Sequence, residues 1–596
     1  MQSAFFLPVN TAVNNREYYL FWGLKGQKAH KNAKFCTVVH CPEEIPCPVL
    51  NSLVNALPGT SSTKSPALLK QNFAHVHVLD FGRIHHILPL GETPMSIRSN
   101  TAFEKAATRF APIVLLLLFT SCGGTSSNSS KSSPPPAGPP AQSAELFAQH
   151  IQGLSTPYPS IGFKEVRIWS NVSDARWAQI NTAQGQYDFT ILDQFLAKFY
   201  QHGMMDVLYT IGQLPPWASS KPSDTTCDFS DDINATFGGC DLPADIAPDG
   251  SGTDATYINF VTAIAQHVND PTYLQTHAPI KYWEPWNEWY RNPTVYPGDK
   301  FWNNFDHVSI YATYAQMVRM TADLRCVIVG KGCVNGVNYP AKGIDPSAKI
   351  VSPSDGADMN ESLSVFQNFL YCNGTGASAP IQGSNCNANN AGSALVDVIN
   401  SHWYEPAGLG MPPESVIPQV SAYYQVLSTA DQNKPLWSGE GSWGDDSKIT
   451  DPDAQVAWVA RYYLAGWTAG LKRMYWYGYD SPHYGTLWTS GTGMNQAGQA
   501  YGTVSKWLYQ AKLKTPCSPS NGVWTCSVTL GNGNDAEIIW DTNQTCQSSP
   551  CPTASQSIPS NFANAQDLTG TNSAISGTVQ VGIKPILLTT SAATAP

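Results

Sequence analysis

Charge is scarce in this 596-residue chain: 13% of its residues are Asp, Glu, Lys or Arg, against about 25% in ordinary globular proteins. No run of Lys and Arg occurs and the formal net charge is -10, which excludes a sequence-independent grip on nucleic acid, since that needs clustered cations to displace counterions. The 14 cysteines form no Cys-x-x-Cys pair, so the commonest zinc knuckles are missing. The longest apolar stretch, FAPIVLLLLF at 110–119, falls far short of the roughly 20 residues a membrane-spanning helix needs. No glycine-rich phosphate loop follows the first strand candidate, which argues against a doubly wound nucleotide-binding sheet. What is plentiful instead is Gly, Ser, Thr, Asn and aromatic residues, a profile suited to an exported protein that meets polar, uncharged ligands.

Residues 95–122 read MSIRSNTAFEKAATRFAPIVLLLLFTSC, in which basic residues precede an apolar run that ends in small ones, the three parts of a bacterial export signal. The end, FTSC, resembles the lipobox of bacterial lipoproteins and implies membrane attachment through a lipidated Cys122; Phe119 stands where Leu or Val is usual. An export signal at that point implies a true start at Met95, leaving 1–94 as an upstream extension expected to be disordered. Residues 123–143 are a Ser- and Pro-rich tether. Of the other cysteines, ten fall in five close couples, 227/240, 326/333, 372/386, 517/526 and 546/551, and an even count behind an export signal points to disulfides. Neighbour pairing is the simplest connectivity, although spacing alone does not determine it.

From residue 144 onward, short apolar runs alternate with helical patterns, as parallel strands joined by crossover helices require. Eight strands are expected, at 146–151, 166–171, 206–212, 280–288, 349–354, 398–405, 435–441 and 473–479. Eight such units predict an α/β (β/α)8 TIM barrel over 144–514, with its active site at the C-terminal ends of the strands. Beyond it, VWTCSVTLG, AEIIWDT and SGTVQVGIKPILLTT predict a small β domain over 515–596 that packs against the barrel.

The strand-end rule brings polar and aromatic residues to one rim: Asn287 and Glu288 after the fourth strand, His402, Tyr404 and Glu405 after the sixth, Glu440 in the seventh, Trp476 and Tyr477 after the eighth. Two carboxylates facing each other across a barrel mouth are what glycosidic cleavage uses, one as acid, the other as nucleophile or base. The segment KYWEPWNEWY at 281–290 carries a further acid, Glu284. Strand alternation would put Glu284, Trp286 and Glu288 all on the barrel interior, with Glu284 deeper and paired with a buried cation such as Arg167.

These residues resemble the clan A retaining glycoside hydrolases, and WEPWNE in particular is similar to the acid/base signature of glycoside hydrolase family 39 and its relatives. The likeness runs over about 146–513 and takes in VRIWSN, RWAQINTAQGQYDF and TIGQLPPWAS. It implies a carbohydrate substrate, a β-type linkage, no metal or organic cofactor, Glu288 as general acid/base and Glu440 as nucleophile. It also implies Asn287 on the sugar 2-hydroxyl, Tyr404 orienting Glu440 and Arg167 keeping it ionised. His402, His150, Trp476 and Trp217 are the remaining candidates for sugar contacts. Trp289 replaces the family's usual Pro, and SGEGSWG differs from the usual sequence around the nucleophile. A noncatalytic glycan-binding lipoprotein and an inverting glycosidase are the rival readings; oligomeric state is not readable from the sequence.

Overall fold

The computed structural model describes residues 145–590, apart from 159–162, 170–174, 224–237, 240, 290–312, 355–358, 373–390 and 405–410, together with the backbone of three short N-terminal strands. The export signal, Cys122, the tether, Cys227, Cys240, Cys386 and Glu405 lie outside the described residues. Met1–Ser127 is a compact unit of its own, in which Ala4–Val9, Tyr18–Gly23 and Phe35–Thr37 pair as an antiparallel sheet.

The second unit, Asn128–Pro596, is built on eight parallel strands: β1 (Phe147–Gln149), β2 (Glu165–Ile168), β3 (Asp206–Thr210), β4 (Ile280–Glu284), β5 (Lys349–Ile350), β6 (Ile399–His402), β7 (Leu436–Gly441) and β8 (Arg473–Trp476). Their order is β5-β4-β3-β2-β1-β8-β7-β6, and a parallel bridge from Val351 to Val398 joins the two edges, closing the (β/α)8 barrel. Each strand lies within a segment anticipated from the sequence, give or take one residue at its start.

The crossover helices follow ordinary start and stop chemistry. They include α1 (Thr190–Gln201), α2 (Ala255–Val268), α3 (Tyr314–Val329), α4 (Met359–Tyr371), α5 (Val416–Val426), α6 (Pro452–Ala469) and α7 (Gln496–Leu508). Thr313 and Gln316 form a reciprocal capping box at the head of α3, and Gly330 ends it with φ 79°. At α6, Asp451 accepts from Ala454 N and Pro452 occupies the first turn.

Alternation along the strands sorts the side chains into two cores. Val166, Ile168, Val207, Tyr209, Trp283, Leu436, Met474 and Trp476 point outward to the helices, while Ala148, Leu208, Tyr282, Val351, Val398, Trp437 and Tyr475 fill the barrel. At the N-terminal floor the Arg473 guanidinium lies over the rings of Trp437 and Tyr282 and pairs with Asp206 at 2.9 Å.

After α7, strands β9 (Lys512–Ser520), β10 (Val523–Thr529), β11 (Asp535–Asp541), β12 (Thr553–Ser557), β13 (Asn564–Gln566), β14 (Asn572–Ala574), β15 (Thr578–Gly582) and β16 (Ile586–Thr589) form a six-stranded antiparallel sheet, with β12 and β15 as a separate pair. This region shares the barrel's outer core through Val528, Ile538, Trp540 and Leu587. Glu414 and Arg461 form a buried two-pronged ion pair, both contacts 2.6 Å, and Glu414 also accepts from Trp540 Nε1 at 2.8 Å. Trp507 Nε1 donates to Gln566 Oε1 at 2.6 Å. Cys326–Cys333, Cys517–Cys526 and Cys546–Cys551 are disulfides between neighbours. Among the described residues no helix is long and apolar enough to cross a membrane.

Candidate active site

The site begins with Arg167, whose alternating position on β2 turns it into the barrel, where it is fully buried. A buried cation persists only when paired, and this one bridges two acids: Nη2 lies 2.7 Å from Glu284 Oε2, and Nη1 lies 2.5 Å from Glu440 Oε1. Nη2 also donates to Asn287 Oδ1 at 2.8 Å. Its pKa is raised, the two carboxylates outweighing the effect of burial.

Glu284, the last residue of β4, has no exposure and every oxygen is occupied. Oε2 accepts from Arg167 and from Thr210 Oγ1 at 2.5 Å; Oε1 accepts from Ser354 N at 3.0 Å and Asn400 Nδ2 at 3.1 Å. It is the deep, cation-paired acid anticipated from the sequence. The alternation expected beyond it does not hold, because β4 stops at Glu284. Trp286 therefore packs in the outer core, not in the barrel interior. Glu288 is brought over the mouth by a turn, with φ 44°, a conformation a residue with a Cβ rarely adopts. Its backbone N donates to Ser354 Oγ at 3.2 Å, and Trp289 N to Ser354 O at 3.3 Å. Trp289 packs edge-on against Tyr314, which gives the substitution for Pro a structural role.

Glu440 faces inward because β7 is irregular: its register against both β6 and β8 shifts after Ser438. The two glycines beside it leave room for neighbours. A Cβ on Gly439 would collide with the Asn400 amide, and one on Gly441 with the Tyr462 hydroxyl, so GEG around the acid is a packing requirement. Tyr404 OH donates to Glu440 Oε2 at 2.9 Å. Burial pushes the Glu440 carboxyl above its ordinary value and Glu288 adds to this, while His402, Arg167 and Tyr404 oppose it.

Between the two acids sits His402, also buried, with Nδ1 2.9 Å from Glu288 Oε1 and 3.7 Å from Glu440 Oε2. One oxygen of each acid and a ring nitrogen of His402 all lie within 4.8 Å of one another. Burial favours the neutral ring, but the two carboxylates prevail and its pKa is raised. His402 thus touches both acids, a role the sequence did not suggest. The same three residues are a donor set that could hold a metal ion; the other such set among the described residues, Asp451 with Cys546 and Cys551, has its cysteines tied in a disulfide.

Two of the residues expected to contact sugar are buried. Trp476 is fully buried on the outward face of β8, stacked on Tyr463, with Nε1 donating to Gly485 O at 2.7 Å; strand parity points it at the helices. His150 is buried, and both ring nitrogens face backbone carbonyls, Trp169 O at 3.1 Å and Gly439 O at 3.0 Å. Burial, then Arg167, holds its pKa well below the usual value, so a neutral ring donates to one of them. Trp217 is half-buried and lines a cavity whose walls include neither acid.

Two of the rim tyrosines, Tyr404 and Tyr477, are joined by a third, Tyr484, in a cluster. Tyr477 and Tyr484 set their rings 6.4 and 5.4 Å from that of Tyr404, the donor to Glu440, and 5.9 Å from each other. Tyr477 follows β8 and was visible as a strand-end residue; Tyr484 comes from a loop with no periodic signal.

No family model matches this chain, and no curated protein matches it. Solved structures with a related arrangement include a family 39 glycoside hydrolase from the gut symbiont Bacteroides cellulosilyticus WH2, at 15% identity and a TM-score of 0.44, covering 72% of this chain and 76% of that one. A conserved exported protein from Bacteroides fragilis is 15% identical, with a TM-score of 0.42 and coverage of 75% and 92%. The catalytic domain of the GH30 xylanase C from Talaromyces cellulolyticus is 13% identical, with a TM-score of 0.41 and coverage of 75% and 96%. Similarity of this degree leaves function to be argued from the site itself.

Proposed function

We propose that this protein is a retaining glycoside hydrolase that cuts a β-type linkage in a neutral poly- or oligosaccharide. The observation that carries this reading is the placing of two carboxyls at one barrel mouth, an oxygen of Glu288 and one of Glu440 within 4.8 Å of each other with His402 between them, the close approach that a double displacement uses.

In the first step Glu440, kept anionic by Arg167 and Tyr404, attacks the anomeric carbon while Glu288 gives its proton to the leaving oxygen. A glycosyl ester on Glu440 results. In the second step Glu288, now a carboxylate, takes a proton from water as that water attacks the same carbon and releases Glu440. The net change is addition of water across the glycosidic bond, with configuration retained. His402 holds a proton against Glu288 between turnovers. Asn287, its Oδ1 occupied by Arg167, has its amide nitrogen left to donate to the sugar 2-hydroxyl.

The chain also fits an exported protein, with residues 95–122 as the signal, Cys122 as the lipid-bearing residue, 144–514 as the catalytic part and 515–596 as a supporting β region. The disulfides Cys326–Cys333, Cys517–Cys526 and Cys546–Cys551 accord with an oxidising compartment.

Screening nitrophenyl glycosides and insoluble plant cell-wall glycans would find the substrate, and NMR of fresh product would report the anomer. Glu288→Ala and Glu440→Ala should each lower kcat by at least about 100-fold. Azide should rescue the first as the β-glycosyl azide and the second as the α-glycosyl azide. Turnover surviving in both variants would refute the assignment, and inverted product would refute the mechanism. Unchanged glycan affinity without turnover in the unmodified protein would favour a binding module.

A further inference from the structure

The cavity at Trp217 has a volume of about 540 Å³ and shares no residue with the acid pair. It lies between α2, the turn at 181–187 and Trp217. Two half-buried rings, Trp217 and Tyr187, meet exposed amides on Gln184, Asn259 and Gln266 there.

The rings are held in place. Trp217 Nε1 donates to Asn181 O at 2.9 Å, and Asn181 is itself fixed by Nδ2 bonds of 2.8 Å to Ala183 O and Gln186 O. Tyr187 is stacked parallel to Phe189. The polar wall is unusual for a helix surface: α2, ATYINFVTAIAQHV, contains no Asp, Glu, Lys or Arg, and Thr256, Asn259, Ala263 and Gln266 form an uncharged stripe at helical spacing.

Asp245 is the charged residue of the wall. Asp245 Oδ2 accepts from Thr253 Oγ1 and Thr256 N, both at 3.0 Å, whereas Oδ1 is buried and has no hydrogen-bond partner among the described residues. An anion would be repelled by Asp245, and the wall has no cation to receive one.

From these features we infer that this cavity is a second, noncatalytic binding site for a neutral glycan, whose C–H faces lie on Trp217 and Tyr187 and whose hydroxyls meet the amides. This rests on the carbohydrate-cleaving reading for its biological sense. The site would tether a polymer and raise its effective concentration at the barrel mouth, leaving short substrates unaffected.

The test is affinity electrophoresis of the full chain carrying Glu440→Gln, in gels containing soluble arabinoxylan, mixed-linkage β-glucan or galactan. Retardation in at least one gel is expected, with the apparent affinity falling at least 5-fold in Trp217→Ala and in the surface variant Asn259→Arg. In the otherwise unmodified chain, Asn259→Arg should leave nitrophenyl glycoside turnover within 2-fold while lowering turnover of the polymer. No retardation in any gel, or equal retardation of the variants, overturns the proposal; so does a parallel fall in turnover of the small substrate, which would make the cavity part of the catalytic cleft. Trp217-dependent retardation without any turnover would keep this site and reject the hydrolase reading; turnover without retardation would do the reverse.

Discussion

The Arg167 guanidinium lies 2.7 Å from Glu284, and both side chains are completely shielded from water. Its other arm reaches Glu440 at 2.5 Å, so one cation holds a structural acid and the proposed nucleophile at once.

Removing that cation should cost stability as well as activity. Arg167→Met leaves Glu284 buried without its charge partner, and a loss of about 3–5 kcal/mol is expected in urea denaturation. Adding Glu284→Gln should recover part of it. If Arg167→Met unfolds at the same urea concentration as the parent, the pair does not support the barrel.

The pH dependence follows from two opposed shifts. Burial raises the Glu440 carboxyl above the usual 4.5, so the active anion is lost as pH falls through that higher value and the acid limb of kcat/KM should lie above 4.5. The two carboxylates raise His402 above 6.5, so the proton shared with Glu288 persists into the neutral range and its loss sets the basic limb. His402→Gln should move the basic limb to lower pH and leave the acid limb in place or raise it. A basic limb that does not move would remove His402 from the proton's path.

Tyr404→Phe deletes the 2.9 Å bond to Glu440 and nothing else of the ring. A hydrogen bond to a charged group contributes about 1.5–3 kcal/mol, so kcat should fall roughly 10- to 100-fold, with the acid limb displaced upward. Wild-type kinetics in this variant would show that Tyr404 neither orients nor stabilises the acid.

Gly439→Ala should be more damaging than a one-carbon change suggests. The added Cβ runs into Asn400, which donates to Glu284, so about 1–3 kcal/mol of stability and part of the activity should go. Thermal denaturation and turnover of the same preparation check both parts; a neutral result would mean Asn400 has room to withdraw.

A glycosidic cleavage by two carboxylates needs no metal. Turnover should be indifferent to EDTA, and zinc should inhibit by competing for Glu288, His402 and Glu440. Loss of activity in EDTA with recovery on adding metal would replace the proposed chemistry.

The barrel could be read from the chain because each of its strands is a short apolar run bounded by turns, and the rule that sites gather at strand ends then leads to Glu288 and Glu440. Parity was harder. Whether Trp476 or its neighbour Tyr475 enters the barrel depends on a single residue's phase in β8, and Trp286 lost the expected phase when β4 ended two residues earlier. Glu440 points inward through a bulge that no propensity announces, although the glycines beside it are its visible trace. Tyr484 and the double role of His402 depend on contacts between distant elements, which a linear pattern does not carry.

Trp540 of the C-terminal strands donates to Glu414, a carboxylate that the barrel's own Arg461 holds, so a hydrogen bond to a buried ion pair ties the two halves of this unit together. Cutting the chain before the last sheet would take the Trp540 donor from Glu414, open the Glu414–Arg461 pair to water and bare the flank where Trp507 now meets Gln566. The C-terminal strands are thus less an appended module than the missing outer wall of the barrel, and any transplant of the catalytic part into another scaffold would have to bring them along.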